Sequence, residues 1–172
     1  MIQIKIIDAQ NAGDVNLPNE PFEIWGRMIP SLIDGKWSYR TEQFDCVSEM
    51  CFPDFSYDME DHNVVFIGAY ENSVCIGLAV LRRDMFKYLY LDDLKVNRAF
   101  RGKGIGCRLL EACMEQAEKM DMQGVYTIGQ DNNLSACLFY LAHGFSIGGF
   151  NNRSYRGTSQ EGKSDLYFYR DC

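Results

Sequence analysis

The sequence predicts a mixed α/β fold built as one domain, residues 1–172. Three observations carry that prediction. Several strand-like apolar segments occupy the first hundred residues, two helical segments with recognisable ends follow, and a strand-rich tail closes the chain. No Pro-, Gly- or Ser-rich linker, internal repeat or low-complexity tract interrupts the order, and a chain of this length can bury one proper core.

The elements follow in order. "IQIKIID" alternates polar and apolar residues and reads as a first strand. From Asn19 to Leu32 the apolar residues recur at helix-like intervals, which predicts a helix ended by Pro30 and by the turn "DGKW". The acidic stretch with Pro53 reads as irregular. "VVFIGAY" (64–70) is a continuous apolar run of the kind a buried strand shows. "ENS" turns the chain into "VCIGLAVLRR", and "KYLYLDDLKV" follows, so an antiparallel meander is expected. Ile105, Leu109, Cys113, Ala117 and Met120 then share one face of a helix running to about Asp121. "GVYTIGQ" is a short strand. "DNNLSACLFYLAHG" begins with capping residues and ends at Gly144, the marks of a second helix. "FSIGGFNNRSY" and "DLYFYR" are two final strands around a polar loop.

Charge and cysteine usage narrow the function classes. The net charge is −7, and between Thr41 and Asp61 seven acids stand without a single Lys or Arg. Such a surface repels nucleic acid and anionic membrane; it is either a solvated acidic loop or an attractor for a cationic ligand. The seven cysteines are odd in number and contain no CxxC pair, which argues against a disulfide framework or zinc site and for a reducing compartment. "MIQIKIIDAQ" lacks the pattern of a signal peptide, and no apolar run is long enough to span a bilayer, so a cytoplasmic location is expected.

Three constellations could carry chemistry. The first is "RGKGIGCRLLEAC", where Gly102, Gly104 and Gly106 stand directly before a helix. A glycine-rich helix entrance lets an anion lie against unpaired backbone N–H groups; the same glycines also suit a plain tight turn. Neither the Walker pattern nor GxGxxG is met, and the basic residues Arg98, Arg101 and Lys103 favour the anion. The second is Asp92-Asp93, which interrupts an apolar strand. Regular alternation would point the two to opposite faces, one of them the more buried side, where a carboxylate needs a reason. The third is Tyr140 in the second helix, a core residue or a positioned hydroxyl.

Arg101-x-x-Gly104-x-Gly106 after an apolar strand, with Asn133-x-x-Ala136-x-x-x-Tyr140 and Gly144-Phe145, resembles the two core motifs of the GNAT superfamily of acetyl-CoA-dependent N-acetyltransferases. The resemblance extends over nearly the whole chain. It implies a GNAT acyltransferase fold, with a mostly antiparallel central sheet splayed between its fourth and fifth strands and flanked by helices. It also implies an acetyl-CoA/coenzyme A site. Backbone amides from about Gly102 through Lys103, Gly104 and Ile105 to Gly106, with Arg101, would hold the pyrophosphate. Pantetheine would pair with the strand around Leu94, Lys95 and Val96, the Leu94 amide would polarise the thioester carbonyl, Asn133 would touch the pantetheine arm and Tyr140 would face the sulfur.

The implied reaction is attack of an amine on a thioester. An alkylamine has a pKa of about 10.4, so on the order of one molecule in a few thousand is neutral at pH 7. Something must therefore hold the ammonium and take its proton, directly or through water, and a carboxylate in the strand beside the thioester fits. Asp92 matches the position where many family members carry an acid, and Asp93 is second choice; Tyr140 would act as acid to the leaving thiolate. No metal is implied, His62 and His143 read as incidental, and the cysteines lack an acid–base partner that would support a covalent acetyl-enzyme.

"NEPFEIWGRMIPSLIDGKWSY", "LYLDDLKVNRAFRGKGIG" and "GQDNNLSACLFYLAHGFSIGG" are similar to segments of the streptothricin (nourseothricin) acetyltransferase group, which implies acetylation of the antibiotic's β-lysine arm and resistance. Glu20, Phe22, Glu23 and Trp25, with Tyr90 and Asp92, would line the site for a small cationic amine; Glu20 and Glu23 would equally suit the solvated face of an amphipathic helix. Two positions depart from that group: Ile128-Gly129 and Asn151-Asn152 stand where it carries acids. Another amine (polyamine, aminoglycoside, protein lysine or N-terminus) therefore stays open, as does a non-catalytic coenzyme A-binding module. The superfamily resemblance also allows a homodimer.

Overall fold

The computed structural model describes residues 1–84 and 86–172. Its first elements are β1 (Gln3–Ile6), a 3-10 helix at Ala9–Asn16, β2 (Phe22–Ile33), β3 (Lys36–Met50), β4 (Val64–Glu71), β5 (Val74–Arg83) and β6 (Tyr88–Val96). A 3-10 turn at Arg98–Phe100, α1 (Ile105–Lys119), β7 (Gly124–Gln130), α2 (Leu134–Ala142), β8 (Ser146–Asn151) and β9 (Asp165–Asp171) follow. The chain divides into two compact units: Met1–Pro21 with Cys51–Val125 and Cys172, and Phe22–Met50 with Tyr126–Asp171.

In the first unit four strands run in the order β1-β4-β5-β6, all antiparallel, so the expected meander is present. Two faces follow from the register. Gly77 faces α1: a Cβ there would stand 3.2 Å from the Leu109 side chain. Its neighbours Leu78 and Val80 point the other way, into a cluster with Ile7, Val15 and Phe66 that Leu17, Tyr57, Met59 and Val64 cover. On α1, Ile105, Leu109, Leu110, Cys113, Met114 and Ala117 are buried, the face the periodicity predicts, and Met120 caps the C-terminus.

The second unit is a long hairpin, β2–β3, a helix, and strands ordered β7-β9-β8. The hairpin corrects the helix expected over Asn19–Leu32. Its buried positions are Ile24, Gly26 and Met28, a period of two. Glycine at the middle position hides that period from a reading based on side chains. Backbone proximity explains the glycine: a Cβ at Gly26 would lie 2.6 Å from the Glu42 carbonyl oxygen and 2.9 Å from Leu134. The turn is Asp34-Gly35, both with positive φ (50° and 74°), which matches the right-handed twist of the strands it joins. β3 also takes up much of the acidic stretch expected to be irregular; only the part after Met50 lacks regular structure.

Candidate active site

The segment before α1 is braced from beneath. Arg101 donates from Nε to the Val96 carbonyl and from a terminal nitrogen to the Pro21 carbonyl, both at 2.8 Å, while another terminal nitrogen lies 3.9 Å from Glu20. Glu20 also accepts from the backbone N–H of Arg98. Thus Glu20, expected against the amine, and Arg101, expected against phosphate, anchor the loop to the chain ahead of β2. Lys103 sits over the Phe100 ring, 4.9 Å from its centroid.

What these braces hold is an open helix entrance. Gly102 and Gly104 have φ of 74° and 75°, a conformation that costs an L side chain about 1–2 kcal/mol. Among the described residues a Cβ on either would meet nothing within 4 Å, so no packing seen there demands glycine. Gly104 is the N-cap of α1, no side chain caps it, and no acid lies in the first turn. The leading N–H groups and the positive end of a fifteen-residue helix are left to an outside anion. This geometry fits a diphosphate held by backbone amides.

β6 carries the acids. Its pairing with β5 slips between Val80 and Leu81: Asp93 faces Val80, Leu91 faces Leu81, and Asp92 is the extra residue of a β-bulge. The bulge overrides the alternation expected of Asp92 and Asp93: Asp93 lies opposite Val80, on the face that Tyr57 covers, and Asp92 reaches Arg82 from the same strand end. Asp93, Asp92 and Arg82 are the charged neighbours of the Tyr57 hydroxyl. Arg82 forks between Asp92 (3.1 Å) and Asp61 (3.3 Å), tying the acidic segment to the strand. Lys95 forms an ion pair with Asp93 at 2.9 Å, each side chain 12 % exposed, and its ammonium also reaches Asn19 Oδ1 at 3.2 Å. Burial pushes the Asp93 carboxyl above the usual carboxylate range, with Lys95 pulling the other way. Lys95 therefore spends its side chain inside the protein; only its backbone is left for the cofactor role expected of it. Leu94, Lys95 and Val96 pair through the backbone with Ala79, Leu78 and Gly77, and Tyr90 lies opposite Arg82.

The remaining expected residues belong to the second unit. Asn133 caps α2, its Oδ1 accepting from the Ala136 N–H at 3.3 Å, and it bridges to Gly26. Tyr140 is buried with its ring against Phe139, Phe145 and Phe168. The Trp25 indole N–H donates to Ser135 Oγ at 2.7 Å. Glu23 faces Glu49 across the hairpin, and Phe22 faces Met50. Asn151 closes a local turn, accepting from the Arg153 N–H. Asn152 borders a cavity of about 380 Å³ lined by Arg153, Arg156 and Lys163 with Glu161, a cationic lining that disfavours an ammonium.

Two polar arrangements escaped the sequence reading. One is the Arg82 fork with Tyr57, whose only sequence signal was an aromatic residue within an acidic run. The other is a network in which Gln130 donates to Tyr155 (2.8 Å) and Gln160 (3.0 Å), and the Tyr155 hydroxyl donates to buried Asp165 (2.6 Å). Its members are up to thirty-five residues apart and nothing in their spacing links them. All seven cysteines are free thiols; burial raises the thiol pKa of Cys75 and Cys113 and pushes Cys137 up to about 12. Among the described residues no helix is long and apolar enough to cross a membrane.

Comparison with known proteins identifies the family. The model of the acetyltransferase (GNAT) family matches residues 29–145. Streptothricin acetyltransferase A of Bacillus subtilis (strain 168) is 34% identical over 166 residues, 92% of this chain and 94% of that protein. A streptothricin acetyltransferase of Escherichia coli is 25% identical over 91% of this chain and 80% of its own length. Among solved structures, a protein of Bacillus anthracis str. Ames, provisionally described as a streptothricin acetyltransferase and crystallised with acetyl coenzyme A, superposes with a TM-score of 0.91. It is 25% identical, with both chains covered completely.

Proposed function

This chain belongs to the GNAT acetyltransferase family, and from that premise we propose that it moves the acetyl group of acetyl-CoA onto a primary amine of a streptothricin-type antibiotic, conferring resistance. The observation that carries the reading is the juxtaposition, within one unit, of a bare helix entrance suited to diphosphate and a bulged strand end bearing two carboxylates. The 34% identity over 92% of the chain to a streptothricin acetyltransferase supports the choice of substrate.

Acetyl-CoA supplies an acetyl carbon activated as a thioester. The backbone amides of Gly102 to Gly106 hold its diphosphate, and the backbone of Leu94 to Val96 holds the pantetheine arm. Asp92 Oδ1 or Oδ2 binds the substrate ammonium and accepts a proton from it, directly or through water. Arg82 keeps that carboxylate oriented, and Asp61 shares the guanidinium. Asp93, largely buried and paired with Lys95, is the alternative candidate for the base. A backbone N–H beside the bulge stabilises the developing oxyanion, commonly the larger catalytic contribution. The Tyr140 hydroxyl gives its proton to the leaving sulfur.

The uncharged Ile128-Gly129 and Asn151-Asn152 pairs favour a second reading, the same reaction on another amine. Release of free thiol from acetyl-CoA with streptothricin, spermidine, kanamycin and a lysine peptide separates the two. Streptothricin turnover supports the first and turnover with other amines alone the second; tight coenzyme A binding with no turnover points to a non-catalytic module. Asp92→Asn should slow amine acetylation at neutral pH and recover in part in alkaline buffer, where more amine is already neutral. An unchanged pH profile would remove Asp92 as the base.

A further inference from the structure

We propose that Tyr57 is a specificity-determining residue of the amine site, its hydroxyl oxygen taking one N–H of the substrate ammonium whose other hydrogens go to Asp92 and Asp93. The assignment rests on the acetyltransfer reading above and adds a ligand-binding group from the acidic segment.

Tyr57 is held in place by its surroundings. Its backbone N–H donates to Asn16 Oδ1 at 2.8 Å. The same stretch is pinned by Asn19, which donates from its backbone to Asp54 (2.6 Å) and from its side chain to the Pro53 carbonyl (2.8 Å). The ring packs edge-on against Phe66, centroids 5.6 Å apart, and against Phe55 at 5.7 Å, as part of the apolar cover over Leu78 and Val80. A phenylalanine would fill that space equally well.

The hydroxyl is what packing does not explain. Its oxygen is buried and has no hydrogen-bond partner among the described residues. A buried hydroxyl without a partner costs the free protein stability, and a ligand that bonds to it would relieve that cost. Burial, and then Asp93 and Asp92, raise the phenol pKa, which keeps it protonated. Charge identifies the ligand. The charged groups joined by ion pairs here are three carboxylates, Asp61, Asp92 and Asp93, and two cations, Arg82 and Lys95. One negative charge is left over. A single ammonium neutralises it, and its three N–H groups match two carboxylates and a hydroxyl oxygen.

The test compares wild type with Tyr57→Phe by three measurements. These are the melting temperature of the free protein, calorimetric titration with streptothricin in the presence of coenzyme A, and steady-state KM values. The expected result is a melting temperature equal to or above wild type, amine Kd and KM raised about tenfold or more, and an unchanged KM for acetyl-CoA. A lower melting temperature means that the hydroxyl serves the fold, and an unchanged amine Kd means that it does not touch substrate; either overturns the assignment. If wild type binds streptothricin without acetylating it, the reading of function falls while the Kd ratio still decides the role of Tyr57. If spermidine or kanamycin binds instead, the ratio is read with that amine. Binding of none of the three overturns the assignment.

Discussion

Gly104→Ala separates the two explanations of the glycines before α1, because the structure allows its costs to be apportioned. At φ 75° the alanine is strained by about 1–2 kcal/mol. Since none of the described residues lies within 4 Å of the added Cβ, no steric cost adds to this. In a chain of this size each kcal/mol lowers the melting temperature by about 2–4 °C, so a fall of about 2–8 °C is expected. Gly35→Ala is the matched control: φ 74°, equally open, at the tip of the β2–β3 hairpin. It should lose the same stability. Only Gly104→Ala should also weaken the cofactor, because its methyl group would occupy the surface proposed for the diphosphate. A tenfold rise in the Kd of coenzyme A, about 1.4 kcal/mol, is the smallest effect consistent with that contact. Calorimetric titration of both variants with coenzyme A, beside thermal melts, gives the comparison. Equal affinity in Gly104→Ala and Gly35→Ala would refute the cradle and leave the glycines as a turn.

Other consequences can be checked as directly. Tyr140→Phe should lower kcat by about 100-fold or more while leaving the KM for acetyl-CoA nearly unchanged; unaltered turnover would exclude Tyr140 as the acid. Burial raises the Asp131 pKa despite bonds from backbone N–H groups and the nearby Arg27 charge, so the native state holds that proton more tightly than the unfolded chain. Its contribution is therefore fully present below the unfolded pKa and is lost as pH rises through the folded one. Asp131→Asn, which lacks that titration, should gain on wild type in urea unfolding as pH rises across this window; a constant difference would contradict it. Brief alkylation of the native protein at pH 8 should label Cys46, Cys51 and Cys172, which are exposed, and spare Cys75, Cys113 and Cys137 until the protein unfolds. Rapid labelling of Cys113 or Cys137 would contradict their burial.

The strand meander and both helices were legible in the sequence because each follows one local rule: an apolar period, a cap or a terminal glycine. The β2–β3 hairpin was not, because Gly26 occupies an inward position with no side chain to mark it, while Trp25, Met28, Ile29 and Leu32 happen to fall at helical intervals. The Asp34-Gly35 pair, the strongest local hairpin signal, was present and was outweighed by that apparent periodicity. For the site, the glycine segment and the acidic pair were legible as residue types at a strand end and a helix start. Their arrangement was not. A one-residue bulge decides where Asp92 and Asp93 point, Arg82 joins Asp92 through an ion pair from ten residues away, and Tyr57 comes beside them from the acidic segment. Glu20 illustrates the same limit: an acid beside aromatic residues suggested a ligand contact, and its actual partners are Arg98 and Arg101, some eighty residues later.

The central claim is that this chain acetylates a streptothricin-type amine, and mass spectrometry of the antibiotic tests it most directly. Streptothricin incubated with the protein and acetyl-CoA should gain one acetyl group, located by fragmentation on the β-lysine arm, and should gain none when either component is omitted. Unmodified streptothricin after incubation with saturating acetyl-CoA and a protein that binds coenzyme A would contradict the account.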